Sequence, residues 1–107
     1  MSDKPVHYTS IHVQEARELL NDPDMVIIDI RDKVTFEAGN IPNSINVSEE
    51  TIIDFLGSTD HQAPLLIYCY HGINSKDEAE YFVKNGFQSV FSLDGGILNI
   101  FSRNPDK

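Results

Sequence analysis

The stretch Pro64-Leu65-Leu66-Ile67-Tyr68-Cys69-Tyr70-His71-Gly72-Ile73-Asn74-Ser75 passes from a continuous apolar run into a short polar loop that opens a helix. An apolar run of this length, rich in Leu, Ile and Tyr and bounded by Pro64 and Gly72, predicts a strand buried on both faces, as in a parallel sheet covered by helices. Open parallel sheets carry their chemistry at the carboxyl ends of their strands. Cys69, the chain's one cysteine, therefore stands where a nucleophile stands, beside loop amides and a helix amino terminus. A free thiol has a pKa near 8.5 that helix amino termini lower, so Cys69 is expected to hold more thiolate than a free cysteine. Up to about six amide hydrogens, from Tyr70 to Ser75, are expected to converge on that sulfur and on anything attached to it. A lone cysteine in an apolar run is more often a small core residue; the strand-end position and the glycine-containing loop reverse that expectation here.

Outward from this stretch, the pattern alternates strands and helices. Val13, Ala16, Leu19 and Leu20 predict a helix over about 12–20, stopped by Asn21-Asp22-Pro23. Met25 to Asp29 reads as a strand, Val34 and Phe36 as a brief helix, Gly39-Asn40-Ile41-Pro42 as a turn and Ile45-Asn46-Val47 as a minimal strand. Ser48 is expected to cap a helix that buries Ile52, Ile53, Phe55 and Leu56 and ends at Gly57, with loop over 58–63. Ser75 is expected to cap the next helix, which carries Asp77 and Glu78 in its first turn, turns Ala79, Phe82 and Val83 inward and stops at Gly86. Val90 to Leu93 is the last strand, and Asp94-Gly95-Gly96 turns into a helix with Ile97, Ile100 and Phe101. The sum is an α/β fold, a largely parallel sheet flanked by helices on both faces. One domain is expected over 1–107, with a core at about 8–103.

Composition narrows the function classes. Seventeen acidic against eight basic side chains give a formal charge of −9, which disfavours nucleic acid and anionic lipid as partners. A small anionic substrate must be held by local donors, since the overall field repels it. With a single cysteine no internal disulfide forms, which predicts a reducing, cytoplasmic compartment. No apolar run approaches the roughly 20 residues of a membrane span, and Met1-Ser2-Asp3-Lys4-Pro5 does not lead into a long apolar stretch, so a soluble protein is expected. Four histidines and one cysteine show no ligand spacing, and neither a metal nor an organic cofactor is expected.

Around the loop, Lys76 sits at a helix start, where a cation opposes the dipole, and this points to a part in attracting an anion. His71 is a candidate for polarising a substrate, and Ser75 is a helix cap first. Asp29 and Arg31 are expected to satisfy turn amides and each other. Gly95 and Gly96 are expected to supply positive φ or a close backbone approach beside the loop, and Gly39 and Pro42 are turn formers.

Cys69-Tyr70-His71-Gly72-Ile73-Asn74-Ser75, set between an apolar strand and a helix, closely resembles the active-site loop of single-domain rhodaneses, the thiosulfate sulfurtransferases of the GlpE type. Three further segments agree in order: Val26-Ile27-Ile28-Asp29-Ile30-Arg31-Asp32 is similar to the family's first strand and acidic-basic turn, Phe36 with Gly39-Asn40-Ile41-Pro42-Asn43-Ser44 to its amino-side signature, and Leu93-Asp94-Gly95-Gly96 to its carboxy-side signature. The chain departs from the family where His is usual at Asn40, Gly at Asn43 and an aromatic at Ile97, and Ile73 puts an apolar side chain inside the loop. The resemblance implies a ping-pong transfer of sulfane sulfur from thiosulfate, through a Cys69 persulfide, to cyanide, a small thiol or a thiol-bearing protein. It implies that Cys69 is catalytic and that Tyr70, His71, Gly72, Ile73, Asn74, Ser75 and Lys76 surround the substrate. Cysteine phosphatases and arsenate reductases on a related scaffold carry an arginine six residues after the cysteine, where this chain has Ser75. A third reading is a sulfur-carrier or regulatory rhodanese module with little thiosulfate turnover.

Overall fold

A computed structural model describes residues 7–70 and 74–96. The expected loop residues His71, Gly72 and Ile73, and the expected helix with Ile97, Ile100 and Phe101, lie outside the described residues. Nine elements follow in order: β1 (Thr9–Ile11), α1 (Val13–Leu19), β2 (Val26–Asp29), α2 (Lys33–Ala38), β3 (Ile45–Asn46), α3 (Ile52–Ser58), β4 (Leu65–Tyr68), α4 (Asn74–Lys84) and β5 (Val90–Leu93). The five strands form one sheet in the order β1-β5-β4-β2-β3, and every neighbouring pair is parallel.

Side chains alternate along the strands and so divide the core in two. Leu65 and Ile67 of β4 and Ile28 of β2 pack with Phe55 of α3, Ala79 and Phe82 of α4, and Phe87. Leu66 and Tyr68 of β4 and Ile27 of β2 pack on the other face with Ala16 and Leu19 of α1, Ile41 and Leu93. All four residues of β4 are fully buried, as a central strand covered on both faces requires.

The order of the strands positions the site. The path from β1 through β2 to β3 moves towards one edge of the sheet, and the path from β3 through β4 to β5 moves back. Right-handed crossovers then put α1 and α2 on one face and α3 and α4 on the other. The neighbours β2 and β4 therefore send their chains away in opposite directions, and a crevice opens beyond their carboxyl ends.

Four local expectations are corrected. Thr9-Ser10-Ile11, not expected as a strand, pairs with Phe91-Ser92-Leu93 at one edge; only Ile11 of the three is buried, so no apolar alternation marks it. Ser48 does not cap α3: its carbonyl accepts from Thr51 and Ile52, and Thr51 is the cap position. Ile53 is 66% exposed rather than buried, because Ile52 and Phe55 occupy the inward face of the helix. Ser75 lies inside α4 instead of capping it, fully buried, with its hydroxyl 2.8 Å from that of Ser92.

Candidate active site

Cys69 follows directly on β4, at the crevice between the carboxyl ends of β2 and β4. It is 4% exposed, yet it lines a cavity of about 450 Å3. Ile30, Arg31, Asp32 and Thr35 line the cavity from the chain after β2, and Tyr70 and Asn74 from the chain after β4. The amino end of α4 thus stands at the same cavity as the thiol, where the positive end of the helix dipole favours negative charge.

The turn after β2 is held by a buried ion pair. The Asp29 carboxylate, fully buried, accepts from the Arg31 backbone amide at 2.7 Å and from Nη2 of its guanidinium at 2.6 Å, with Nε 3.0 and 3.1 Å from the two oxygens. Arg31 also donates to the Gly39 carbonyl, and Asn46 donates to the carbonyls of Asp29 and Arg31. The hydrogen bond to Asp29 raises the Arg31 pKa further above its already high value. Its charge is thus committed to Asp29, as expected of this pair. Asp32 caps α2: the Thr35 amide donates to it at 2.8 Å and the Thr35 hydroxyl at 3.0 Å. These bonds from Thr35, the amide first, hold the Asp32 carboxyl below its usual range, so a carboxylate stands in the cavity wall.

On the other side, Gly95 and Gly96 carry φ of +80° and +69°. A Cβ on Gly96 would overlap the Tyr70 carbonyl and lie 2.6 Å from the Cys69 carbonyl oxygen. The double glycine therefore lets the turn after β5 back directly onto the cysteine's main chain, which is the close approach expected from the sequence. The Ser75 to Ser92 hydrogen bond ties the start of α4 to β5, so the chain is anchored on both sides of the loop. A third support is Tyr68, whose phenol accepts from the Ile41 amide at 3.1 Å and sits 3.2 Å from the Ser44 hydroxyl. Burial first, then Asp29, pushes its pKa up to about 12, so it remains a neutral phenol.

Of the residues singled out in the sequence, Cys69, Tyr70 and Asn74 meet at the cavity. Ser75 is turned away into the core. Lys76 lies 3.8 Å from Asp94, which is also 3.7 Å from His12, and Lys76 is not among the lining residues. Ile30, Asp32 and Thr35 were missed as cavity residues. The spacing Asp32-x-x-Thr35 is a helix-cap signal, and the adjacency of β2 to β4 is what brings it to the cysteine. Among the described residues no three His, Cys, Asp or Glu side chains gather as metal ligands.

The family model that matches this chain is that of the rhodanese-like domain, over residues 12–102. The chain belongs to the rhodanese-like domain family. It is 40% identical over 89 residues to a protein named thiosulfate sulfurtransferase GlpE from Pseudoalteromonas translucida (strain TAC 125), covering 83% of this chain and 85% of the relative. A protein of the same name from Coxiella burnetii (strain RSA 493 / Nine Mile phase I) is 39% identical over 98 residues, 92% of each chain. The crystal structure of a rhodanese-like domain protein from Staphylococcus aureus superposes with a TM-score of 0.72 at 30% identity, covering 83% of this chain and 87% of that one. A rhodanese-related protein from Thermoplasma volcanium, 24% identical, reaches a TM-score of 0.75 over 92% of this chain and 96% of its own, a likeness of fold.

Proposed function

We propose that this rhodanese-like chain is a thiosulfate sulfurtransferase in which Cys69 carries the sulfur as a persulfide. The observation that carries the reading is the position of Cys69, the one cysteine of the sequence, on the cavity at the end of the central strand and beside the start of α4. The Cys69 thiolate attacks the outer sulfur of thiosulfate, the S–S bond of the donor breaks, and its electron pair leaves with sulfite. The amides of Tyr70, His71, Gly72, Ile73, Asn74 and Ser75 are assigned to the persulfide anion, and Lys76 or His71 to the departing sulfite; for Lys76 this requires leaving Asp94, which lies 3.8 Å from it. With no second thiol in the chain to resolve the persulfide, an external acceptor, cyanide or a thiol, removes the sulfur. The reaction calls on no metal or organic cofactor. A reducing, cytoplasmic setting keeps the thiol available.

Incubation with thiosulfate followed by intact-mass measurement tests this. A gain of about 32 Da on Cys69, one sulfur, removed by cyanide and absent in Cys69→Ser, is the expected result; no gain, or a gain that survives Cys69→Ser, refutes it. One observation favours a second reading, a carrier or regulatory module with little thiosulfate turnover. The cavity wall holds the Asp32 carboxylate, while the Arg31 guanidinium is occupied by Asp29, so these side chains do not favour a dianionic donor. Slow thiosulfate turnover together with fast loading from another protein's persulfide would decide for that reading.

A further inference from the structure

Beside the Cys69 cavity lies a larger groove of about 580 Å3, and the two share Ile30 and Asn74. Its apolar surface includes Val47 and Ile52 together with Ile53 and Tyr81, which are 66% and 38% exposed. Three carboxylates line the same groove, Glu49 from the segment before α3 and Asp77 and Glu78 from the start of α4; among the described residues no Lys, Arg or His does. Two of them bear on the third. Burial first, then Asp77 and Glu49, hold the Glu78 carboxyl above its usual range.

We infer that this groove docks the sulfur acceptor, and that the acceptor is a cationic polypeptide segment with an apolar residue beside its thiol. The inference rests on the sulfur-transfer reading of Cys69 and names the class of partner it serves. A small acceptor such as cyanide would leave Ile53 and Tyr81 uncovered. A second copy of this chain would bring three like charges against three, and an anionic acceptor would meet both the groove and the formal charge of −9. A basic segment lying along the groove brings its thiol to the adjoining Cys69 cavity. The acceptor's thiol proton passes to the outer sulfur of the Cys69 persulfide anion and the resulting thiolate attacks that sulfur; the persulfide S–S bond breaks, its electron pair returns to Cys69 Sγ as thiolate, and the acceptor leaves as a persulfide carrying the transferred sulfur and that proton.

The protein is loaded with thiosulfate and desalted, and loss of the added sulfur is followed by mass on mixing with three cysteine peptides. These are identical except for two positions beside a leucine-cysteine pair, filled by lysines, serines or glutamates. At low ionic strength the lysine peptide is expected to discharge the protein about tenfold faster than the serine peptide, and the glutamate peptide slower than either. That lysine-to-serine ratio should collapse towards one in E49Q/D77N/E78Q and persist in E18Q/D22N/D24N, which removes three charges from α1 and its following turn on the opposite face of the sheet. Flanking lysines also raise the thiolate fraction of their cysteine; comparing the lysine-to-serine ratio between protein variants, with the same peptides, cancels that intrinsic difference. A ratio of one in the parent protein, or an equal fall in both variants, overturns the inference. If Cys69 takes up no sulfur, the sulfur-transfer reading fails and the groove is judged by titrating a dye-labelled lysine peptide with serine in place of its cysteine. Saturable binding weakened about tenfold by E49Q/D77N/E78Q alone sustains it; no saturable binding, or equal weakening by both variants, overturns it. Concentration-dependent dimerisation abolished by Ile53→Asp would assign the face to a second copy and overturn it as well.

Discussion

At Gly96 a φ of +69° and the carbonyls of Cys69 and Tyr70 bear on one position. An alanine there meets both a left-handed backbone, which costs an L-residue about 1 kcal/mol or more, and atoms of the active loop that cannot yield without moving Cys69. Gly96→Ala is expected to lower the melting temperature by several degrees and to reduce thiosulfate-dependent mass gain by more than its folded fraction accounts for; thermal unfolding and intact mass on the same sample check this. Asn43 poses a milder version of the problem. Its φ is +70°, and Asn is one of the few residues other than Gly that enters this region readily, which explains why Asn stands where the family usually has Gly. Asn43→Gly should be close to neutral, whereas Asn43→Val should lower stability by about 1–2 kcal/mol in urea unfolding.

Elements respond differently according to what surrounds them. Gly57 lies within α3, and a Cβ added there meets nothing within 4 Å. Gly57→Ala should therefore stabilise by about 0.5–1 kcal/mol, since glycine in a helix interior gives up more chain entropy than alanine; denaturant midpoints will show it, with sulfur loading retained. The tie between α4 and β5 behaves as a unit. Removing either hydroxyl of the buried Ser75 to Ser92 pair leaves the other unsatisfied, at about 1–3 kcal/mol. Ser75→Ala and Ser92→Ala should each destabilise, and the double variant should lose clearly less than the sum of the two.

At the scale of the whole molecule, the formal charge of −9 carries a local cost at Glu78. The Glu78 carboxyl is held above its usual range by burial and by two like-charged neighbours, so the folded protein disfavours its charged form. A carboxyl raised on folding destabilises most when ionised; the penalty is full above its folded value and relieved as pH falls through it. Glu78→Gln should raise stability at neutral pH by no more than about 0.5 kcal/mol after solvent screening. The gap between variant and parent should close on acidification and shrink in high salt, as unfolding midpoints at two pH values and two salt concentrations would reveal. A net gain in stability coupled to slower discharge by a lysine peptide is the signature of groups retained for binding.

The residues alone were enough for the alternation of strands and helices, the doubly buried β4 and the place of Cys69 at its end, because the periods of 2 and 3.6 and the turn residues act within a few positions of the chain. The Asp29 and Arg31 pair was legible for the same reason: its partners are two residues apart. Thr9-Ser10-Ile11 was not legible as a strand, because its hydrogen bonds come from β5 at the far end of the sequence. The same holds for Ser75, drawn off its expected cap by Ser92, and for Asp32 and Thr35, which reach the cysteine because β2 lies beside β4. Only the tertiary structure set Glu49 against Asp77 and Glu78, since a parallel sheet joins neighbours through crossovers and proximity in space no longer follows proximity in sequence.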